Sequence, residues 1–287
     1  MNQRALHRRW LPMPGNEGGS PGTTALWKLP VGNRFHSLSL AYTGVTLAEM
    51  TEIRIKLNGL VIQRFSGTER DLLNQFLGLK AAGGILRIPF DRIGLKNRDQ
   101  EELTAINTNV ADAQGNKISA FTVEVDVDAG ATAPAFELDA EQSDSIELNL
   151  DGSKAGPGLI PYLIKGNRSP SGSGEFEIGD FNYGRSDSLS LNRITFLPSA
   201  NNIEQVEVMA NNERIFKRKA AINTRIQEDG DAGRVPQSGA WVIDTTENGY
   251  GAATIPLVGL SDFRYRLWVD GAMTITALQE YNGVLPR

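Results

Sequence analysis

The chain contains no cysteine. Disulfide frameworks, thiolate zinc sites and cysteine nucleophiles are therefore all excluded, and packing must supply the stability. Histidine is nearly absent as well: His7 and His36 are the only two, both close to the amino terminus. That placement predicts neither a buried base nor a metal cluster and makes a poor inventory for catalysis. No apolar run approaches the roughly 20 residues that cross a bilayer, and the first segment lacks the apolar core of a signal peptide. A soluble protein that is not processed by secretion is expected. Positive charge is also scarce, with 29 Lys and Arg against 34 Asp and Glu, a formal net charge of -5. Broad nucleic-acid binding needs a surplus of cations to displace phosphate counterions, so no direct nucleic-acid partner is expected. The one basic cluster is Arg4, His7, Arg8 and Arg9, followed by Trp10.

What is present points to strands. With 287 residues the chain accommodates two medium domains, and its 30 glycines and 13 prolines fall between short apolar runs, as in an all-β protein. Alternation with a period of two recurs at Leu38, Leu40 and Tyr42, at Ile53, Ile55 and Leu57, at Val123, Val125 and Val127, at Ile194 and Phe196, and at Phe263, Tyr265, Leu267 and Val269. Such strands bury one face and wet the other, the pattern of antiparallel sheets packed face to face. One segment breaks the pattern. From Thr68 to about Leu79, Leu72, Leu73, Phe76 and Leu77 form a helical stripe, with Thr68 and Asp71 at the spacing of a capping pair. A shorter helix is expected over Lys219 to Glu228.

The chain also repeats itself. Ser37-Leu38-Ser39-Leu40 recurs as Ser188-Leu189-Ser190-Leu191. Ile53, Ile55 and Leu57 lead into Asn58-Gly59, while Val206, Val208 and Ala210 lead into Asn211-Asn212. Both read as hairpins, because a two-residue turn needs positive φ at both positions and Asn tolerates that best after Gly. Ile118-Ser119-Ala120-Phe121 and Leu260-Ser261-Asp262-Phe263 each open a further alternating strand, closed by Asp128-Ala129 and Asp270-Gly271. The order of the three matches is the same and their spacing similar. Two tandem jelly-roll β-barrels, a double jelly-roll with short inserted helices, follow as the fold. The expected division is an arm over 1–24, a first jelly roll over 25–150, a Gly/Pro-rich linker over 151–176 and a second jelly roll over 177–287.

The candidate sites are few. Asp126 and Asp128 alternate by two and so share a strand face, as an acid/base or metal pair would require, although a solvated strand face is the commoner meaning. Asp229 and Asp231, beside Glu228 in a Gly-rich loop, have the chemistry for calcium but depart from the helix-loop-helix calcium spacing after its second ligand position. The motif Asn167-Arg168-Ser169 is cancelled as a glycosylation acceptor by Pro170, and Gly172 and Gly174 lack the strand and helix of a phosphate loop. Arg4, Arg8, Arg9 and Trp10 suit a disordered terminus, contact with lipid headgroups or contact with a neighbouring subunit.

The segments Lys28-Leu29-Pro30-Val31-Gly32, Leu38 to Tyr42, Thr43-Gly44-Val45-Thr46 and the turn Asn58-Gly59 resemble the amino-terminal barrel of corticovirus-type major capsid proteins. Gly158-Leu159-Ile160 with Glu177-Ile178 and Asp180-Phe181 resembles that family's crossing between barrels. Phe263-Arg264-Tyr265-Arg266-Leu267, through Ala277 to Glu280-Tyr281-Asn282-Gly283-Val284, is similar to its final strands. The likeness spans most of residues 25 to 285, and the order of the motifs carries it.

The resemblance implies a major capsid protein, not an enzyme, that needs no cofactor. It implies a homotrimer forming a pseudo-hexagonal capsomer of an icosahedral bacteriophage shell around an internal membrane. Neighbouring capsomers, penton and minor capsid or membrane proteins and the viral membrane surface would be its partners, with assembly in the bacterial host cytoplasm. The family's association with calcium-dependent particle stability makes calcium at Asp126, Asp128, Asp229 and Asp231 an expectation to test. The basic arm is expected at the inward base of the trimer. The competing readings are a carbohydrate-binding or receptor-binding β-sandwich of a virion spike, with Trp27, Trp241 and Trp268 as a sugar platform, and a glycan-processing β enzyme.

Overall fold

The computed structural model describes residues 7–112, 115–145, 155–181, 188–200 and 202–285. The first repeat comprises β1 (Arg9–Pro12), β2 (Glu17–Gly18), β3 (Thr24–Leu29), β4 (Arg34–Thr43), β5 (Met50–Leu57), β6 (Leu60–Phe65), α1 (Gly67–Phe76), β7 (Ile85–Pro89), α2 (Arg98–Glu101), β8 (Ile106–Asn107), β9 (Phe121–Val127) and β10 (Ala135–Ser143). The second comprises β11 (Ile160–Arg168), β12 (Gly174–Ile178), β13 (Ser188–Pro198), β14 (Ile203–Ala210), β15 (Glu213–Lys219), α3 (Ala220–Asp229), β16 (Trp241–Asp244), β17 (Ile255–Pro256), β18 (Phe263–Val269) and β19 (Ile275–Gly283).

The two repeats have the same pairing pattern. In the first, one sheet runs β1-β10-β4-β7 with β8 also on β4, and the facing sheet runs β2-β3-β9-β5-β6. In the second, the corresponding orders are β11-β19-β13-β16, with β17 also on β13, and β12-β18-β14-β15. Strand for strand, β1 matches β11, β3 matches β12, β4 matches β13, and so on to β10 and β19. Each repeat is a jelly roll, two antiparallel sheets closed over an apolar core. The inward positions of β9 (Phe121, Val123, Val125, Val127) and of β18 (Phe263, Tyr265, Leu267, Val269) are all buried, as period-two alternation requires.

The repetition reaches individual hydrogen bonds. Asn58 and Asn211 both take φ of 50° in their turns. The Asn58 Oδ1 accepts from the Ser119 and Ala120 backbone N–H groups at 2.9 and 3.3 Å, and the Asn211 Oδ1 accepts from Ser261 and Asp262 at 2.9 and 3.4 Å. A bulge follows each turn at the same offset, leaving Ile62 and Ile215 outside the ladder register. Asn74 on α1 donates to the Arg87 carbonyl at 2.7 Å, and Gln227 on α3 donates to the Val242 carbonyl at 2.8 Å.

Three expectations are corrected. Helix α1 is capped by Ser66, not Thr68: Ser66 Oγ accepts from the Glu69 N–H, and Glu69 returns the bond to the Ser66 N–H at 2.7 Å. Part of the arm over 1–24 belongs to the first barrel, because β1 pairs with β10 from Arg9 to Pro12 and β2 pairs with β3. The linker over 151–176 contains β11, nine residues long and laddered along β19. Arm and linker are the same element in two copies, and their prolines and polar residues hid short strands from a reading based on composition.

The barrels join along one seam. There β6 of the first meets β11 of the second in a single parallel pair, Gln63 with Leu163, and the first barrel's β2-β3-β9-β5-β6 sheet fuses with the second barrel's β11-β19-β13-β16 sheet into one ten-stranded sheet. Lys165 on β11 pairs with Glu69 on α1 at 2.6 Å, and Gln63 Nε2 donates to the Pro161 carbonyl at 2.9 Å. Tight approach within the first barrel requires glycine at Gly44, where φ is +65° and a Cβ would lie 2.0 Å from the Ala133 carbonyl oxygen.

Candidate functional site

The acidic residues singled out in the sequence are separated and occupied. Asp126, on the wet side of β9, is held by Arg54 at 2.6 and 2.8 Å and by the Thr24 hydroxyl at 2.6 Å. Burial alone would raise its pKa, but the bonds from Arg54 and Thr24 hold it below the usual carboxylate range. Asp128 lies beyond the strand end, where its Oδ1 accepts from the Gly130 N–H at 2.7 Å, so the two carboxylates do not form a pair. Asp229 bonds Arg225 at 2.8 Å within α3, and Asp231 bonds Lys96. Among the described residues no group of three or more His, Asp or Glu is arranged to hold a metal ion. These four aspartates do not fit calcium: each is spent on a cation or a turn.

His36 corrects a further expectation, that neither histidine is buried as a base would be: it is fully buried on β4, with Nδ1 3.1 and 3.2 Å from the Asp91 carboxylate oxygens and Nε2 2.9 Å from the Ser143 Oγ. A Ser-His-Asp order of this kind suggests a hydrolase, but Ser143 is itself fully buried, so no substrate reaches it. The group is a core polar network. Sequence alternation missed it because the start of β4 is buried on both faces, from Arg34 to Leu38.

Arg8 seals this network from above. Its guanidinium reaches Asp91 and Glu102 at 2.8 Å and Glu141 at 3.1 Å, tying three separate parts of the first barrel to the segment before β1. Arg98 and Arg34 also bond Glu102, at 2.6 and 3.2 Å. Against the opposing effect of burial, the bonds from Arg98 and Arg8 pull Glu102 down to about 2. Of the other basic-cluster residues, Arg9 pairs with exposed Asp144 at 2.8 Å and Arg4 lies outside the described residues. Trp10 is 51% exposed, with Arg87 5.9 Å from its ring centre.

The sugar platform is not assembled. Trp27 and Trp241 are buried, and Trp268 lies under Lys217, 4.9 Å from the ring centre.

The remaining surface feature is a set of free strand edges. In the seam, the β6 edge and α1 are covered by β11. Of their counterparts, β15 is the last strand of the four-stranded sheet, with α3 following it, and no strand lies beyond it among the described residues; the counterpart of β11, β1, is likewise an outermost strand. Apolar side chains are exposed on all three: Trp10 and Leu11 on β1, Ile215 on β15 and Ile222 on α3. Ile215 is 42% exposed where the equivalent bulge residue Ile62 is buried. Ile222 is 55% exposed; Glu69, at the same distance from its turn asparagine, is the seam partner of Lys165. Apolar side chains exposed along an unpaired strand edge suit contact with another chain.

The fold and its repetition agree with known proteins. The major capsid protein P2 of bacteriophage PM2 is similar, with a TM-score of 0.84 and 20% identity over 98% of this chain and 99% of that one. The STIV major capsid protein (TM-score 0.65, 12% identity, 98% and 97% coverage) and the Faustovirus major capsid protein (0.60, 7%, 97% and 90%) share the architecture. No curated protein sequence is significantly similar to the chain. The models of the viral coat protein P2 N-terminal and C-terminal domains match residues 11–143 and 160–285, one on each barrel. The chain belongs to the viral coat protein P2 family: it is a structural subunit of a virion capsid shell, not an enzyme.

Proposed function

We propose that three copies of this coat protein associate into a pseudo-hexagonal capsomer, each placing its β15 edge and α3 against the β1 edge of the next. The observation that supports this is the unequal cover of equivalent edges. Within the chain, the step from first to second barrel places β11 beside β6. Repeating that step places the β1 of another copy beside β15, and three chains of two barrels then close a ring of six similar units. A head-to-tail contact of this kind forms a closed ring when its rotation closes. Charge fits as well: β15 presents Lys219, and Arg214 and Lys217 that share the single carboxylate of Glu207, while exposed Glu137 and Asp139 lie on β10, beside β1. Trp10 and Leu11 thereby become subunit contacts. The wider assembly is the one the family likeness implies, an icosahedral phage shell around an internal membrane, completed by penton and minor proteins.

Light scattering on the purified protein should give three times the chain mass, and electron microscopy should show particles with six lobes. Ile222→Glu should reduce it to monomers without lowering the unfolding midpoint of the monomer. A wild-type protein that stays monomeric at capsid-forming concentrations overturns the reading.

A further inference from the structure

At the seam between the barrels lies a partly open cavity of about 60 Å³, lined by Arg70, Arg92, Arg193 and Arg234 and by the carboxylates Asp91, Asp244 and Glu280. The charges do not balance. Glu280 holds Arg193 at 2.5 Å and Asp244 holds Arg234 at 2.6 Å, whereas Asp91 is turned to Arg8 and His36. Arg70 and Arg92 remain. Among the described residues neither has a carboxylate within ion-pairing distance: Arg70 donates to Asn74 at 3.1 Å and Arg92 to the Gly251 carbonyl at 2.7 Å.

Arg70 is only 3% exposed, and its Nη2 has no hydrogen-bond partner. A buried guanidinium left in this state is costly, because desolvation is not repaid by a counter-charge. Burial pushes both Arg70 and Arg92 down to about 10, outweighing the attraction of Glu280 for Arg70 and of Asp244 for Arg92, and the positive field of Arg193 adds to the lowering on each. The volume is several times that needed for one water, and its wall offers fixed N–H donors.

We infer that this seam cavity is a binding site for a small inorganic anion, a halide or a phosphate-sized oxyanion, held by Arg70 from the first barrel and Arg92 beside the second. The anion neutralises the surplus and couples the two barrels, since α1, β13 and the β16 region all contribute to its wall. Neither arginine is on the β1, β15 or α3 edges, so the site does not depend on the capsomer arrangement.

The test is thermal unfolding of the full chain at constant ionic strength, with sodium gluconate, the bulkiest of the three anions, replaced stepwise by sodium bromide or sodium phosphate. A saturable rise of a few degrees is expected, and Arg70→Met should abolish the saturable part. Arg92→Met serves the same purpose if Arg70→Met does not fold. Saturation with bromide alone assigns a halide site, and saturation with phosphate alone an oxyanion site. Crystals of the wild-type protein grown in bromide should show an anomalous peak between Arg70 and Arg92 for a halide-accepting site. The inference is overturned if neither salt gives saturation, or if the response is identical in the methionine variants.

Discussion

The β6–α1 edge and the β15–α3 edge have the same topology, the same turn, the same bulge and the same helix, yet one is sealed and the other open. The first has Lys165 on Glu69 and a buried Ile62; the second exposes Ile215 and Ile222. The difference shows that the fold of a barrel does not depend on its neighbour, whereas the chemistry of its outer edge does. An edge with a partner fixed in the same chain is built from ion pairs and backbone contacts. An edge whose partner must arrive by diffusion carries apolar side chains, because apolar area is the driving term in association.

The sharpest way to break the comparison is to open the sealed edge from within. Arg193→Met leaves Glu280, on the wall of the seam cavity, without its cation while Asp244 keeps Arg234, and should cost about 3–5 kcal/mol in urea unfolding. Loss of less than about 1 kcal/mol would mean that this ion pair in the second barrel's wall of the seam contributes little. Next in size is the latch beneath the open β1 edge. Arg8→Ala should cost about 1–3 kcal/mol at neutral pH, the range for charge-assisted bonds lost at a partly buried site.

That loss should depend on pH. Glu102 is held at about 2 instead of its ordinary 4.5, so its stabilising share is complete above 4.5 and is lost as pH falls toward 2. The gap between wild type and Arg8→Ala should therefore narrow on acidification through that window; a constant gap would assign the effect to packing of the arginine stem. The smallest effects test the shared part. Asn58→Ala and Asn211→Ala each remove an acceptor for two backbone N–H groups and place Ala at φ of 50°, and each should cost about 1–2 kcal/mol. The two losses should agree within about 0.5 kcal/mol, because each asparagine accepts the same two backbone bonds within its own barrel. Unequal losses would show that the copies are less alike than their hydrogen bonds.

Much of the fold was legible in the residues. Period-two alternation located β4, β5, β9, β13 and β18, the two asparagine turns located the hairpins, and their common order exposed the duplication. The first strand of each barrel was not legible. Arg9–Pro12 and Ile160–Arg168 carry proline, glycine and charge, and they become strands because β10 and β19 offer them a ladder edge, a long-range fact that no local pattern encodes. The acidic candidates failed for a related reason: spacing placed carboxylates on a face, but Arg54, Arg225 and Lys96 arrive from elsewhere in the chain to occupy them.

The sequence by itself determined the barrel, its repetition and the absence of thiol chemistry, since hydrophobic period, turn residues and composition are local properties written in order along the chain. Only the tertiary structure decided which edges are covered, that His36 is buried and that Arg70 lacks a counter-charge. Those depend on which distant segments meet, and pairing between residues a hundred or more apart is set by the packing of the whole double barrel.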